Sequence, residues 1–143
     1  MKLAIASDHA GYELKEKMKA HLSGLGHQME DFGTNNTDST DYPDYAHPLA
    51  SSVESGSNAL GILICGSGNG VCMTANHHDG IRAALAWNSE VAALARQHNN
   101  ANVLCLPARY ISDEEAFSIT EAYLDAQFEG GRHERRVEKI HQA

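Results

Sequence analysis

Seven consecutive apolar residues, Ala59-Leu60-Gly61-Ile62-Leu63-Ile64-Cys65, run directly into the glycine-rich stretch Gly66-Ser67-Gly68-Asn69-Gly70. The run falls far short of the ~20 residues that span a bilayer. It lacks the alternation of a half-exposed strand, so it reads as a β-strand covered on both faces. Such a strand needs helices above and below it, and the chain supplies them. Lys2 to Ser7 opens as a shorter strand; after Asp8-His9-Ala10-Gly11 the spacing changes to Leu14, Met18 and Leu22, one face of a helix that Gly24 and Gly26 end. Gln28 to Phe32 reads as a second strand and Gly33 to Asp44 as a polar loop long enough to be functional. Pro43 then opens a helix carrying Ala46, Leu49, Ala50 and Val53, which Gly56 stops.

Beyond the glycines the alternation continues. A helical piece from about Val71 to Asn76 leads to a strand from Arg82 to Ala86, and Ser89 opens a helix bearing Val91, Leu94 and Ala95. Val103 to Leu106 is the fifth strand. Ser112-Asp113-Glu114-Glu115 has the capping-box form, opening a helix to about Gln127. Gly130-Gly131 breaks it, and Arg132 to Gln142 reads as a helical tail whose Val137 and Ile140 need an apolar partner. Strands alternating with helices imply parallel pairing through right-handed crossovers. The expectation is an α/β three-layer sandwich around a five-stranded, doubly wound parallel sheet. Ligands of such sheets bind beyond the carboxyl ends of the strands, here Ser7-Asp8-His9, Cys65-Gly66-Ser67, Ala86-Trp87-Asn88 and Pro107-Ala108-Arg109.

At 143 residues the chain is expected to form a single domain over 1–143, with the tail at about 132–142. A net charge of -8 excludes the broadly basic surface that phosphate backbones require, so no nucleic-acid partner is expected. No apolar run suits a membrane span or a signal peptide, which points to a cytoplasmic protein without a membrane partner. Cys65, Cys72 and Cys105 are odd in number and lack CxxC spacing, an argument against disulfides and structural zinc.

The glycines of residues 66–70 permit positive φ and point several backbone N–H groups at one anion beside a helix start. Their spacing is neither the dinucleotide GxGxxG nor the Walker pattern, and no Lys follows. A tight strand-to-helix turn would use the same residues. Cys65 stands immediately before this cradle, where N–H dipoles favour a thiolate, although buried cysteines are commonly plain core residues. Cys72 and Cys105 read as core. His9, beside Asp8, could bind phosphate or be oriented by that carboxylate, and His98 could serve chemistry or merely the helix dipole. Arg109, Arg132, Arg135 and Arg136 gather forked guanidinium groups suited to phosphate late in an acidic chain, Arg135 reading as solvated tail. His47, His77, His78 and His141 lack an acidic partner at metal-ligand spacing and read as surface. Oxyanion cradle, thiol, histidine and arginines together suit proton transfer beside a carbonyl in a phosphorylated molecule.

Ser7-Asp8-His9-Ala10-Gly11, Asp41-Tyr42-Pro43, Ile64 to Gly70, Gly80-Ile81-Arg82-Ala83, Arg96-Gln97-His98-Asn99 and Gly130-Gly131-Arg132, in this order, make the chain resemble the ribose-5-phosphate isomerase type B family, which includes galactose-6-phosphate isomerase subunits. The resemblance covers essentially the whole chain. It implies a Rossmann-like fold and a homodimer or dimer of dimers with active sites at the subunit interface, working on a small sugar phosphate without metal or other cofactor. It further implies interconversion of ribose 5-phosphate and ribulose 5-phosphate through a cis-enediolate. Cys65 would be the base; some members carry a glutamate after the glycine loop instead, where this chain has Val71. Residues 66–70 (Gly66, Ser67, Gly68, Asn69, Gly70) would hold the enediolate oxygen, Ser67 replacing a frequent threonine and relaying a proton. His98 would help open the furanose ring, Asp8 and Asn99 would contact sugar hydroxyls, and Tyr42 would line the pocket. His9, Arg109, Arg132 and Arg136 would surround the phosphate, with the His98-Asn99 and Arg109 region facing the Cys65 loop of the partner. The rival readings are an isomerase of a six-carbon phosphate such as allose or galactose 6-phosphate, and a non-catalytic sugar-phosphate sensor.

Overall fold

Every position of β3 (Leu60–Cys65) is buried, as an uninterrupted apolar strand at the centre of a covered sheet must be. In the computed structural model, which describes residues 1–142, β3 lies between β1 (Lys2–Ser7) and β5 (Val103–Pro107). β2 (Gln28–Asp31) and β4 (Ala83–Leu85) form the edges, giving the order β2-β1-β3-β5-β4 with every pairing parallel. The order reverses direction between β1 and β3, and a crevice opens there beyond their carboxyl ends.

Helices cover both faces. On one, α1 (Tyr12–Gly24), α4 (Ser89–Asn99) and α5 (Asp113–Asp125) bury Leu14, Met18, Leu22, Ala92, Ala95, Ile119 and Tyr123 against Leu3, Ile5, Ile62, Ile64 and Leu104. On the other, α2 (Pro43–Glu54) and α3 (Asn69–Ala75) bury Ala46, Leu49, Ala50, Val53, Val71 and Ala75 against Ala4, Ala6, Leu63, Val103 and Cys105. Alternate residues of β1 thus feed opposite cores, the pleat of a two-faced strand. No helix among the described residues is long and apolar enough to cross a membrane.

The differences from the sequence expectation have local causes. α3 begins at Asn69, because Gly68 (φ 78°) turns the chain directly from strand to helix. Asn88, not Ser89, caps α4, its side chain accepting the Val91 N–H at 2.8 Å. β4 has three residues on an open edge, where the Asn76 amide exchanges two hydrogen bonds with Ala83 at 2.8 and 3.0 Å. The capping box of α5 forms as expected around Ser112 and Glu115. The tail helix α6 is shorter, Arg132–Glu138, with Val137 half-buried and Ile140 exposed.

Candidate active site

Cys65 ends β3, and the Gly68 N–H donates to its Sγ at 3.2 Å. That contact exists because the chain reverses immediately: Gly66 and Gly68 are buried, while the intervening Ser67 is exposed with its Oγ accepting the Asn69 N–H at 3.3 Å. Cys65 is 4% exposed at an open hollow of about 270 Å³, lined by Asp8, His9, Ala10, Tyr42, Cys65, Gly66, Ser67, Gly70, Arg109 and Tyr110. The hollow sits beyond the carboxyl ends of β1, β3 and β5.

β1 delivers the opposite wall. Asp8 is 6% exposed, and its Oδ1 accepts the N–H groups of Ala10 (2.9 Å) and Gly11 (3.2 Å), pinning the single turn His9–Gly11 that leads into α1. His9 is held by the long polar loop and not by a carboxylate: the Thr40 N–H donates to its Nδ1 at 3.2 Å. Nδ1 therefore acts as an acceptor, and a neutral His9 carries its proton on Nε2. Arg109 is fixed by its own N–H donating to the Gly66 carbonyl at 3.0 Å, and its guanidinium passes over Gly66. This corrects one expectation: Arg109 stands on the Cys65 hollow of its own chain. Tyr42, at the start of α2, lays its ring against Gly70.

His98, Asn99, Arg132 and Arg136 are not brought to this hollow within one chain. α4 leaves the carboxyl end of β4 and returns to the amino end of β5, so His98 and Asn99 come to rest at the far rim of the sheet. Asn99 lines a separate hollow with Asn76, Arg82, Ala83, Ile140 and His141. His98 instead stacks on His133, ring centroids 4.1 Å apart. Arg132 and Arg136 are exposed on α6.

His98, Glu129 and His133 place their ligand atoms within 4.8 Å of one another, close enough to be weighed as a metal site. The two rings lie 10° from parallel, so their lone pairs run side by side and do not converge as tetrahedral ligation requires. Burial and the positive neighbours His98 and Arg132 push the His133 pKa down. Two histidines read as bare surface also have partners: His78 Nδ1 lies 2.8 Å from Glu54 Oε1, and its Nε2 lies 2.8 Å from His47 Nδ1. Glu54 is held below the usual carboxylate range by the Gly80 N–H and then by His78. Of the other thiols, Cys105 is fully buried, which pushes its pKa well up, and the half-buried Cys72 donates to the Ala83 carbonyl at 3.4 Å.

Sequence reasoning missed Thr40, Ala10 and Tyr110 at the hollow, and Glu129 and His133 beside His98. Tyr110 follows Arg109 directly at a strand end and could have been found there. Thr40 acts through its backbone amide, which no side-chain pattern announces.

The Ribose/Galactose Isomerase family profile matches residues 3–140. A probable ribose-5-phosphate isomerase B of Mycoplasma pneumoniae is 54% identical over 137 residues, 95% of this chain and 90% of the relative. The solved structure of a ribose 5-phosphate isomerase from Thermotoga maritima is 52% identical and superposes with a TM-score of 0.97, over 99% of this chain and 98% of that one. A ribose-5-phosphate isomerase B from Mycoplasma genitalium, solved with bound ribulose-5-phosphate, is 49% identical with a TM-score of 0.95, over 99% and 94%.

Proposed function

The chain belongs to the ribose/galactose isomerase family, and on that premise we propose that it is an aldose-ketose isomerase interconverting D-ribose 5-phosphate and D-ribulose 5-phosphate through a cis-enediolate. The observation that carries the reading is the Cys65 sulfur, held by the Gly68 N–H at 3.2 Å beneath a hollow that also contains Asp8, His9, Ser67 and Arg109. A binding protein has no use for a thiol so placed. The names of the close relatives favour a five-carbon substrate over allose or galactose 6-phosphate.

In the forward direction the Cys65 thiolate removes the proton from C2 of the open-chain aldose, and the electron pair moves into a C1–C2 double bond. The amides of residues 66–70 hold the resulting oxygen charge, the point at which preorganised donors lower a barrier most. The same proton returns from sulfur to C1, while the hydroxyl proton passes from O2 to O1 with Ser67 as relay. Asp8 receives a sugar hydroxyl on its remaining oxygen. His9, through Nε2–H, and Arg109 meet the phosphate.

Ring opening needs a proton donor at the furanose oxygen, the role assigned to His98, with Asn99 on a hydroxyl and Arg132 and Arg136 on the phosphate. These four lie at the far rim of their own chain, so they serve a Cys65 hollow on a second copy. A homodimer, or a dimer of dimers, with shared sites follows. The exposed Met73, Trp87 and Tyr110 give such a partner apolar surface to cover.

The test is ribulose 5-phosphate formation from ribose 5-phosphate, with wild type and Cys65→Ala each run with excess chelator. Loss of the general base is expected to cost about 10²-fold or more, while chelation leaves wild type unchanged. A folded wild type inactive on ribose 5-phosphate overturns the pentose assignment; activity on a six-carbon phosphate then identifies the substrate, and binding without turnover identifies a sensor.

A further inference from the structure

His133 and Glu129 have no role in the reaction described above, yet both are built against His98. His133 is 8% exposed at the start of α6, and its ring covers the His98 ring face to face. Nε2 of each histidine lies 3.7 Å from the same Glu129 oxygen. The backbone enforces the arrangement. The Glu129 N–H donates to the Gln97 carbonyl at 3.0 Å, tying the end of the α5–α6 connection to α4 beside His98. The chain then turns through Gly130 and Gly131, and the His133 N–H closes back on the Gly130 carbonyl at 3.1 Å.

Two stacked imidazoles cannot both be charged without strong repulsion, so only one ring of the pair over the carboxylate takes an extra proton. The groups facing it decide which ring takes that proton. Arg132 and Arg136, on the same helix as His133, oppose charge on the buried ring. The His98 side chain, 39% exposed against 11% for His133, keeps more water and has Glu129 as its counter-charge. We propose that His133 and Glu129 are positioning residues for His98: the neutral His133 ring fixes the plane of the His98 imidazole, and Glu129 supplies the counter-charge to the ring that delivers its proton to the sugar ring oxygen.

The proposal rests on the assignment of His98 as the ring-opening acid. In that step the ring oxygen gains the His98 proton, the C1–O bond breaks, the C1 hydroxyl releases its proton to water as the aldehyde forms, and water re-protonates His98. Ribulose 5-phosphate enters by another route: its O5 carries the phosphate, so the ketose cannot close a furanose and arrives open-chain. The steps still run backwards on the same groups, and the equilibrium constant fixes the ratio of kcat/KM in the two directions. A merely structural role for His133 would leave the pH dependence of kcat unmoved and would not be rescued by another flat ring.

The experiment measures initial rates in both directions, from about pH 6 to 9, for wild type, His133→Leu, His133→Phe and Glu129→Gln. His133→Leu is expected to lower kcat/KM about tenfold in both directions, which the fixed equilibrium constant ties together, a fraction of what a general acid supplies. His133→Phe, which can still stack, retains most of the forward rate. Glu129→Gln lowers the pH at which the forward kcat falls off. A loss in His133→Phe as large as that in His133→Leu, or unchanged rates and pH profiles in all three variants, overturns the proposal. Should His133→Leu fail to fold by circular dichroism, the exposed Glu129→Gln decides through its pH profile alone. A wild type inactive in both directions instead overturns the isomerase assignment, and this proposal with it.

Discussion

The Gly68 amide that donates to Cys65 Sγ at 3.2 Å belongs to a residue that cannot carry a side chain. Its φ of +78° disfavours any L residue, and a Cβ there would stand 2.5 Å from Leu85 Cδ1 and 3.2 Å from the Leu106 carbonyl carbon. Leu85, on β4, would have to change rotamer, and the Leu106 backbone of β5 or the loop that holds the sulfur would have to give as well. Gly68→Ala is expected to lower stability by about 2 kcal/mol and kcat about tenfold or more, because small displacements of a reacting group are costly. Thermal denaturation and the isomerase assay report the two effects separately. Full activity in Gly68→Ala would detach the amide from the chemistry.

Gly70 gives a contrasting expectation. A Cβ there would meet the Tyr42 ring at 2.6 to 2.8 Å, but Tyr42 is 40% exposed and can swing into solvent. Gly70→Ala should therefore cost under about 1 kcal/mol of stability while raising KM by displacing the tyrosine from the hollow wall. In a Tyr42→Ala background the same change should have little further effect. A double-mutant cycle on kcat/KM measures the coupling, which vanishes if the ring does not contact substrate.

The buried ion pair on the outer edge of the sheet sets an acid limit. Lys15 Nζ is fully buried and 2.6 and 2.8 Å from the Asp31 oxygens, and Lys19 approaches Asp31 at 2.7 Å. Burial raises the Asp31 pKa, but Lys15, Lys19 and the Gly33 N–H together outweigh it and hold it below the ordinary carboxylate range. With the folded pKa depressed, the stabilisation is complete above the unfolded value near 4 and is lost as pH falls through the folded value. Asp31→Asn leaves Lys15 buried without a full counter-charge, costing about 3 kcal/mol at neutral pH. Its stability should also fall less steeply below about pH 4 than that of wild type. Urea unfolding at a series of pH values checks both; parallel curves would remove Asp31 from the acid response.

What the sequence disclosed depended on how local the cause was. The run from Leu60 to Cys65, the glycines after it and the Ser112–Glu115 box each act within a few residues, and each was legible. Lys15 carries no local sign of burial, standing among the charged residues Glu13 and Glu16, because its partner Asp31 lies on another element. His133 was hidden for the same reason: only the turn at Gly130 and Gly131 brings it onto His98, which lies on α4. Cys65, Asp8, His9, Tyr42, Ser67 and Arg109 converge because strands sharing a sheet deliver their ends to one crevice. His98, Asn99, Arg132 and Arg136 do not follow from the single-chain topology, since α4 carries the first two away from that crevice.

That separation has a direct consequence in mixed assemblies. If each Cys65 hollow is completed by His98 of another copy, a Cys65→Ala chain and a His98→Gln chain are each inactive on ribose 5-phosphate alone. A mixed dimer regains one intact site, the one pairing the native cysteine of one chain with the native histidine of the other. Random co-assembly makes half of the dimers mixed, so the mixture should recover about a quarter of wild-type activity per subunit. Co-expression of two differently tagged variants, purification through both tags and an assay on ribose 5-phosphate measure it; in the doubly tagged fraction every dimer is mixed, and about half of wild-type activity per subunit is expected. No recovery in the doubly tagged fraction would mean that each chain completes its own site, and the His98 assignment would have to be abandoned, because its own topology keeps it from Cys65.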